Sequence, residues 1–135
     1  MPHRAAAATA LAIVCLAGVA CGADEERDAA AVAERFQAAL GRDDGRDACR
    51  QLSATAASTV KRQEEAPCAE AILRLDLPRG AVAASKSRVY LRSASVDLAG
   101  GGVTFLNEGP AGWKISAAGC TPSAPDRPYD CKLED

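Results

Sequence analysis

Apolar residues recur at helical spacing in the first half of the chain. In residues 28–41 they return every three or four positions, on one face of an amphipathic helix: Ala29, Val32, Ala33, Phe36 and Leu40. Asp28 is predicted to cap this helix and Gly41 to close it. Shorter segments with the same spacing predict further helices at residues 47–52, from residue 53 to about residue 63, and at residues 67–75.

After Gly80 the pattern changes from helical to alternating. Four segments predict β-strands, at residues 85–91, 93–98, 103–107 and 113–118. Turns rich in glycine and proline at residues 99–102 and 108–112 are typical of antiparallel hairpins. Helices followed by a strand meander predict an α+β fold, with amino-terminal helices packed on a curved antiparallel sheet of about four strands. We assign this single domain to residues 28–135 and expect an irregular tail after residue 120.

An apolar run precedes the predicted domain. Residues 5–20 are almost uninterrupted in their apolar character and follow the weakly basic His3 and Arg4. The run is short for a membrane span and fits a signal peptide, assigned to residues 1–20.

The end of this run predicts a lipid anchor. Val19-Ala20-Cys21 is similar to the site at which bacterial lipoproteins are cleaved and acylated, although Gly18 departs from the usual Leu, Val or Ile. We therefore expect lipid on Cys21, a polar tether at residues 21–27, and a location on the extracytoplasmic face of the cell membrane. The alternative is ordinary signal-peptidase cleavage, which gives a secreted protein.

The cysteines support export. Of the six, Cys15 would leave with the signal peptide and Cys21 would carry lipid. An even set remains, which predicts two disulfide bonds in an exported chain: Cys49, Cys68, Cys120 and Cys131. Three pairings are possible. Proximity in the sequence favours Cys49–Cys68 and Cys120–Cys131, each closing a short loop worth about 3 kcal/mol in the chain-entropy model.

The net charge and the residue composition of the chain exclude several classes of function. The chain has 16 Lys and Arg against 18 Asp and Glu, a net charge of -2, and no basic patch, so we do not expect nucleic acid as a partner. The only histidine, His3, lies in the predicted signal peptide. The mature chain would therefore lack histidine catalysis and histidine metal sites, and it shows no closely spaced cysteine pair, so we expect no metal and no cofactor.

Several segments carry a resemblance to a family. The residues concerned are the helix that contains Phe36, Cys49 with Leu52, the stretch Pro67-Cys68-Ala69-Glu70, the strand of residues 113–120 that ends in Gly119-Cys120, and the stretch 125–131 that ends in Tyr129-Asp130-Cys131. Together they resemble small actinobacterial lipoproteins with an NTF2-like domain, a cone of helices capped by a bent antiparallel sheet. The resemblance implies this fold and a cell-envelope location, and it implies no particular activity.

The resemblance also defines where a pocket would lie. Within an NTF2-like cone the possible lining residues are Phe36, Leu40, Leu73, Phe105 and Trp113. Some NTF2-like domains are isomerases with a carboxylate base. Here the strand carboxylate is Asp97, whose alternation with Val96 and Leu98 places it on the outer face of the sheet.

Three functions follow as expectations. The sequence favours a non-catalytic envelope module that binds a protein, a wall component or a small apolar ligand. A second possibility is a small carboxylate-dependent isomerase or hydrolase of the NTF2-like kind. The third is a secreted accessory subunit, with a homodimer through the sheet face as its possible assembly.

Overall fold

The computed structural model describes residues 20–124 and 128–135, where four helices precede an antiparallel sheet. The helices are α1 (Ala20–Gly41), α2 (Gly45–Gln51), α3 (Ala54–Glu64) and α4 (Cys68–Arg74). The predicted signal peptide, except for its last residue, and residues 125–127 of the tail lie outside the described residues.

Helix α1 is longer than the sequence pattern predicts. It begins at Ala20 rather than after a cap at Asp28, so the segment 21–27 is helical and is not an irregular tether. Alanine, glutamate and arginine are strong helix formers, and the Arg27 side chain donates hydrogen bonds to the Ala23 carbonyl and to Asp24. The polar composition reflects exposure, because the first fully buried residue among positions 22–41 of α1 is Ala29.

Side-chain caps start the next two helices. Asp44 accepts a hydrogen bond from the backbone N–H of Asp47 (3.0 Å), which begins α2, and Ser53 accepts one from Ala56 (3.0 Å), which begins α3. The second contact confirms the predicted helix start at Ser53, whereas α2 begins two residues before the predicted residue 47. Helix α4 follows Pro67 and is joined to α2 by the Cys49–Cys68 disulfide.

The sheet contains the four predicted strands and two short additional ones. They are β1 (Ala84–Tyr90), β2 (Ser93–Leu98), β3 (Val103–Gly109), β4 (Gly112–Pro122), β5 (Tyr129–Asp130) and β6 (Leu133–Glu134). The order is β1-β2-β3-β4-β5, with β6 also paired to β4, and every pairing is antiparallel. The α+β architecture is therefore confirmed.

The end of the chain is more regular than expected. Strands β5 and β6 fall in the tail predicted to be irregular, where the Cys120–Cys131 bond ties the tail to β4. Leu133 is fully buried and lies opposite Ala118 of β4. This apolar contact and the disulfide hold the last residues against the sheet.

The main core lies between the helices and the inner face of the sheet. Its largest fully buried apolar side chains are Phe36, Leu40, Ile72, Leu106, Ile115 and Leu133. A smaller cluster lies on the outer face and contains Val103, Ala117 and Cys120, with Phe105 packed against it. Within the described residues, no helix has both the length and the apolar composition needed to cross a membrane.

Candidate functional site

Four of the five predicted pocket residues pack into the main core, and the fifth lies on the other face of the sheet. Phe36, Leu40 and Trp113 are 0%, 1% and 7% exposed, and Leu73 packs partly buried against the same core. Phe105 lies on the opposite face of the sheet, where its ring meets Tyr129 edge to face with centroids 5.0 Å apart. Helix α1 can approach the sheet closely because three of its buried side chains are small: Ala29, Ala33 and Ala39.

Asp97 lies on the outer face of β2, as the alternation predicts. The inner face of this strand holds the buried Ala94, Val96 and Leu98. Asp97 forms an ion pair with Arg88 of β1, with 3.0 Å between Oδ2 and Nη2. In residues 20–124 and 128–135 the buried polar side chains are Gln37 and Thr104, so no described carboxylate occupies a desolvated position suited to a general base.

Both disulfides have the pairing that sequence proximity favours. Cys49 is bonded to Cys68, with a sequence separation of 19, and Cys120 is bonded to Cys131, with a separation of 11. The first joins α2 to α4, and the second joins β4 to the tail. Disulfides persist in oxidising compartments, so the pair indicates an extracytoplasmic environment.

An open groove of about 380 Å³ runs between α1 and the edge strand β1. Its lining mixes both signs of charge with small residues: Ala23, Glu26, Arg27, Ala30, Glu34, Ala84, Ser85, Lys86 and Ser87. At one end the Ala84 N–H donates a hydrogen bond to Glu34 Oε1 (2.8 Å), which links the helix to the strand. The groove is open to solvent, and its lining combines charged side chains with small apolar ones.

Two turns and the start of α1 meet at one end of the sheet. The turn at Leu91-Arg92 joins β1 to β2, and the turn at Pro110-Ala111 joins β3 to β4. We call this region the hairpin end and define it by these four residues together with Tyr90. The two turns are linked because the Glu108 N–H donates to the Arg92 carbonyl (2.8 Å) and Arg92 Nη2 donates to the Glu108 carbonyl (3.0 Å).

Helix α1 begins beside the hairpin end. Trp113 at the start of β4 donates its indole N–H to Glu25 Oε2 (2.9 Å). Cys21, the predicted lipid site, lies in the first turn of the same helix. Sequence reasoning missed this contact, because Glu25 was assigned to a tether and its neighbours are polar.

The hairpin end also exposes two large apolar side chains. Tyr90 and Leu91 are 80% and 81% exposed, and Leu91 has a positive φ of 54°. Both residues belong to the strand predicted at residues 85–91. Their apolar side chains gave no indication that they lie exposed to solvent at the end of that strand.

Comparison of the chain with protein-family models, with curated proteins and with solved structures finds no match. The NTF2-like resemblance therefore stays a prediction.

Proposed function

We propose that the protein is a lipid-anchored module of the cell envelope, attached to the membrane through Cys21, and that it binds a partner without performing catalysis. The observation that carries the proposal is the combination of a lipobox-like Val19-Ala20-Cys21 with two disulfides in the domain that follows it. The first predicts acylation after export, and the second is expected of an exported chain.

The side-chain chemistry supports binding over catalysis. Three described carboxylates near the sheet make structural contacts: Glu25 accepts the Trp113 N–H, Glu34 accepts the Ala84 N–H, and Asp97 pairs with Arg88. A carboxylate-dependent isomerase needs a carboxylate beside a substrate cavity, in surroundings that hold it ready to take a proton. No described residue favours that alternative.

The groove between α1 and β1 is the surface we assign to the partner. An edge strand presents unpaired backbone groups that can pair with an extended segment. The charges of Glu26, Arg27 and Lys86 beside that strand suit a polar peptide better than a small apolar ligand. The partner in this proposal is therefore an extended, polar segment of another envelope protein.

Substitution of Cys21 tests the anchor. In cells fed a labelled fatty acid, Cys21→Ala should lose the label and move the protein from the membrane fraction to the soluble fraction. Cys15→Ala is the matched control, because that residue lies in the predicted signal peptide, and it should keep both properties. Continued labelling of the Cys21→Ala protein would refute the anchor.

Photo-crosslinking tests the binding surface. A photoreactive residue replacing Ser87 in the groove should give a discrete adduct with another envelope protein in intact cells. The same residue replacing Thr59 on α3, outside the groove, is the control and should give none. Equal adducts from both positions, or none from Ser87, would contradict the groove assignment.

A further inference from the structure

From the position of the exposed apolar residues, we infer that the hairpin end is a membrane-contact surface, where Tyr90 and Leu91 enter the headgroup region of the bilayer that holds Cys21. The inference rests on the proposed lipid anchor and adds the orientation of the domain to it. Its basis is the juxtaposition of the start of α1 with two turns at the same end of the sheet.

The anchor point and the hairpin end are connected through α1. Cys21 precedes Glu25 by one helical turn, about 6 Å along the axis, and Glu25 accepts the hydrogen bond from Trp113 at the start of β4. Because the intervening residues are helical, a lipid on Cys21 would hold the domain close to the bilayer. The contact between α1 and the strand that follows the Pro110-Ala111 turn lies one helical turn from the backbone of Cys21.

Packing does not explain the two exposed side chains. Leu91 combines 81% exposure with a φ of 54°, a conformation that glycine or asparagine adopts more easily than leucine. Tyr90 beside it is 80% exposed. Tyrosine is enriched where proteins meet the membrane–water interface, and leucine gains free energy when it leaves water for the acyl-chain boundary.

The charged residues around the hairpin end favour contact with the bilayer through apolar side chains and not through anionic headgroups. The first turns of α1 carry four acidic residues, Asp24, Glu25, Glu26 and Asp28, against Arg27, and the hairpin end itself adds Arg92. This mixture offers no basic patch for anionic lipids. The contact should therefore occur on zwitterionic vesicles and should persist at high salt, unlike binding that depends on lysine and arginine.

Depth-dependent quenching tests the inference on the whole acylated protein. Leu91→Cys is labelled with a small thiol-reactive fluorophore and reconstituted into phosphatidylcholine vesicles with or without brominated acyl chains. Arg92→Cys, in the same turn and also exposed, serves as a second variant if the first fails to fold. The control is Gly100→Cys, an exposed position in the turn between β2 and β3 at the opposite end of the sheet, where an added side chain meets only Val82 at 4.0 Å.

The expected result is a loss of fluorescence on brominated vesicles for the label in the hairpin end and none for the label at Gly100. Undiminished fluorescence of the hairpin-end label on brominated vesicles, on protein that floats with the vesicles, would overturn the contact while leaving the anchor intact. That result would place Leu91 in water. Protein that carries no lipid and does not float would overturn the anchor and the contact together.

Discussion

At the scale of single residues, two polar side chains lie in the core without a hydrogen-bond partner among the described residues. They are Gln37 of α1, through Oε1, and Thr104 of β3, through Oγ1. Thr104 lies opposite Val96 in the β2–β3 pairing, among apolar neighbours. A buried hydroxyl without a partner costs about 1–3 kcal/mol, so this position lowers the stability of the fold.

Thr104→Val should therefore stabilise the protein. Valine has nearly the same shape and removes the unpaired hydroxyl, so we expect the free energy of unfolding in urea to rise by about 1–2 kcal/mol. Thr121→Val, at an exposed position of β4, is the matched control and should change stability by less than about 0.5 kcal/mol. A loss of stability in Thr104→Val would show that the hydroxyl has a partner in solution.

At the scale of elements, the close approach of α2 to α4 depends on one glycine. A Cβ atom on Gly45, the first residue of α2, would lie 1.8 Å from the carbonyl oxygen of Ala69 in α4. The Cys49–Cys68 bond joins the same two helices. The backbones could separate to admit a methyl group only by straining this connection.

Gly45→Ala should destabilise the protein by about 1–3 kcal/mol, the usual cost of overpacking. Gly22→Ala is the control, because nothing lies within 4 Å of the added methyl and the position is in the exposed part of α1. That change should raise stability by up to about 1 kcal/mol through helix propensity. Urea unfolding of both variants measures the difference, and equal effects would contradict the described contact between α2 and Ala69.

Much of the element order follows from local patterns. Strand β2 was predicted with its observed bounds, and β1, β3 and β4 were placed correctly with ends that differ by a few residues. The alternation of apolar and polar residues and the glycine-rich turns are local features of the sequence. The strands that they define can therefore be predicted from a single sequence. Ser53 was recognised as a helix start for the same reason, because its hydroxyl caps a helix only three residues away.

The errors concern long-range contacts. The start of α1 was predicted too late, because a polar segment looked like a tether while its helical state is supported by docking of Glu25 on Trp113. Phe105 was expected in the same pocket as Phe36, although the pairing of β2 with β3 puts it on the outer face beside Ser95. Strands β5 and β6 are held by the Cys120–Cys131 bond, which the sequence predicted, and by burial of Leu133, which no local pattern reveals.

At the scale of the whole molecule, the structure combines an extracytoplasmic domain with a helix that begins at the predicted anchor. The two disulfides fasten the helical layer and the tail of the sheet separately. Helix α1 spans the domain, from Trp113 near its start to Gly80 beside its end at Gly41. We propose that α1 connects the lipid on Cys21 to the domain. The helix would thereby set how the groove and the hairpin end are oriented relative to the membrane.

The proposed lipid anchor and the two disulfides together require a mature protein that begins with an acylated Cys21 and has no free thiol. Intact-mass measurement of protein purified from membranes, after alkylation without reduction, tests this directly. We predict the mass of residues 21–135 with two disulfides and added diacylglyceryl and acyl groups, and no alkylated cysteine. The mass of an unmodified chain, or of one that begins at another residue, would contradict the claim.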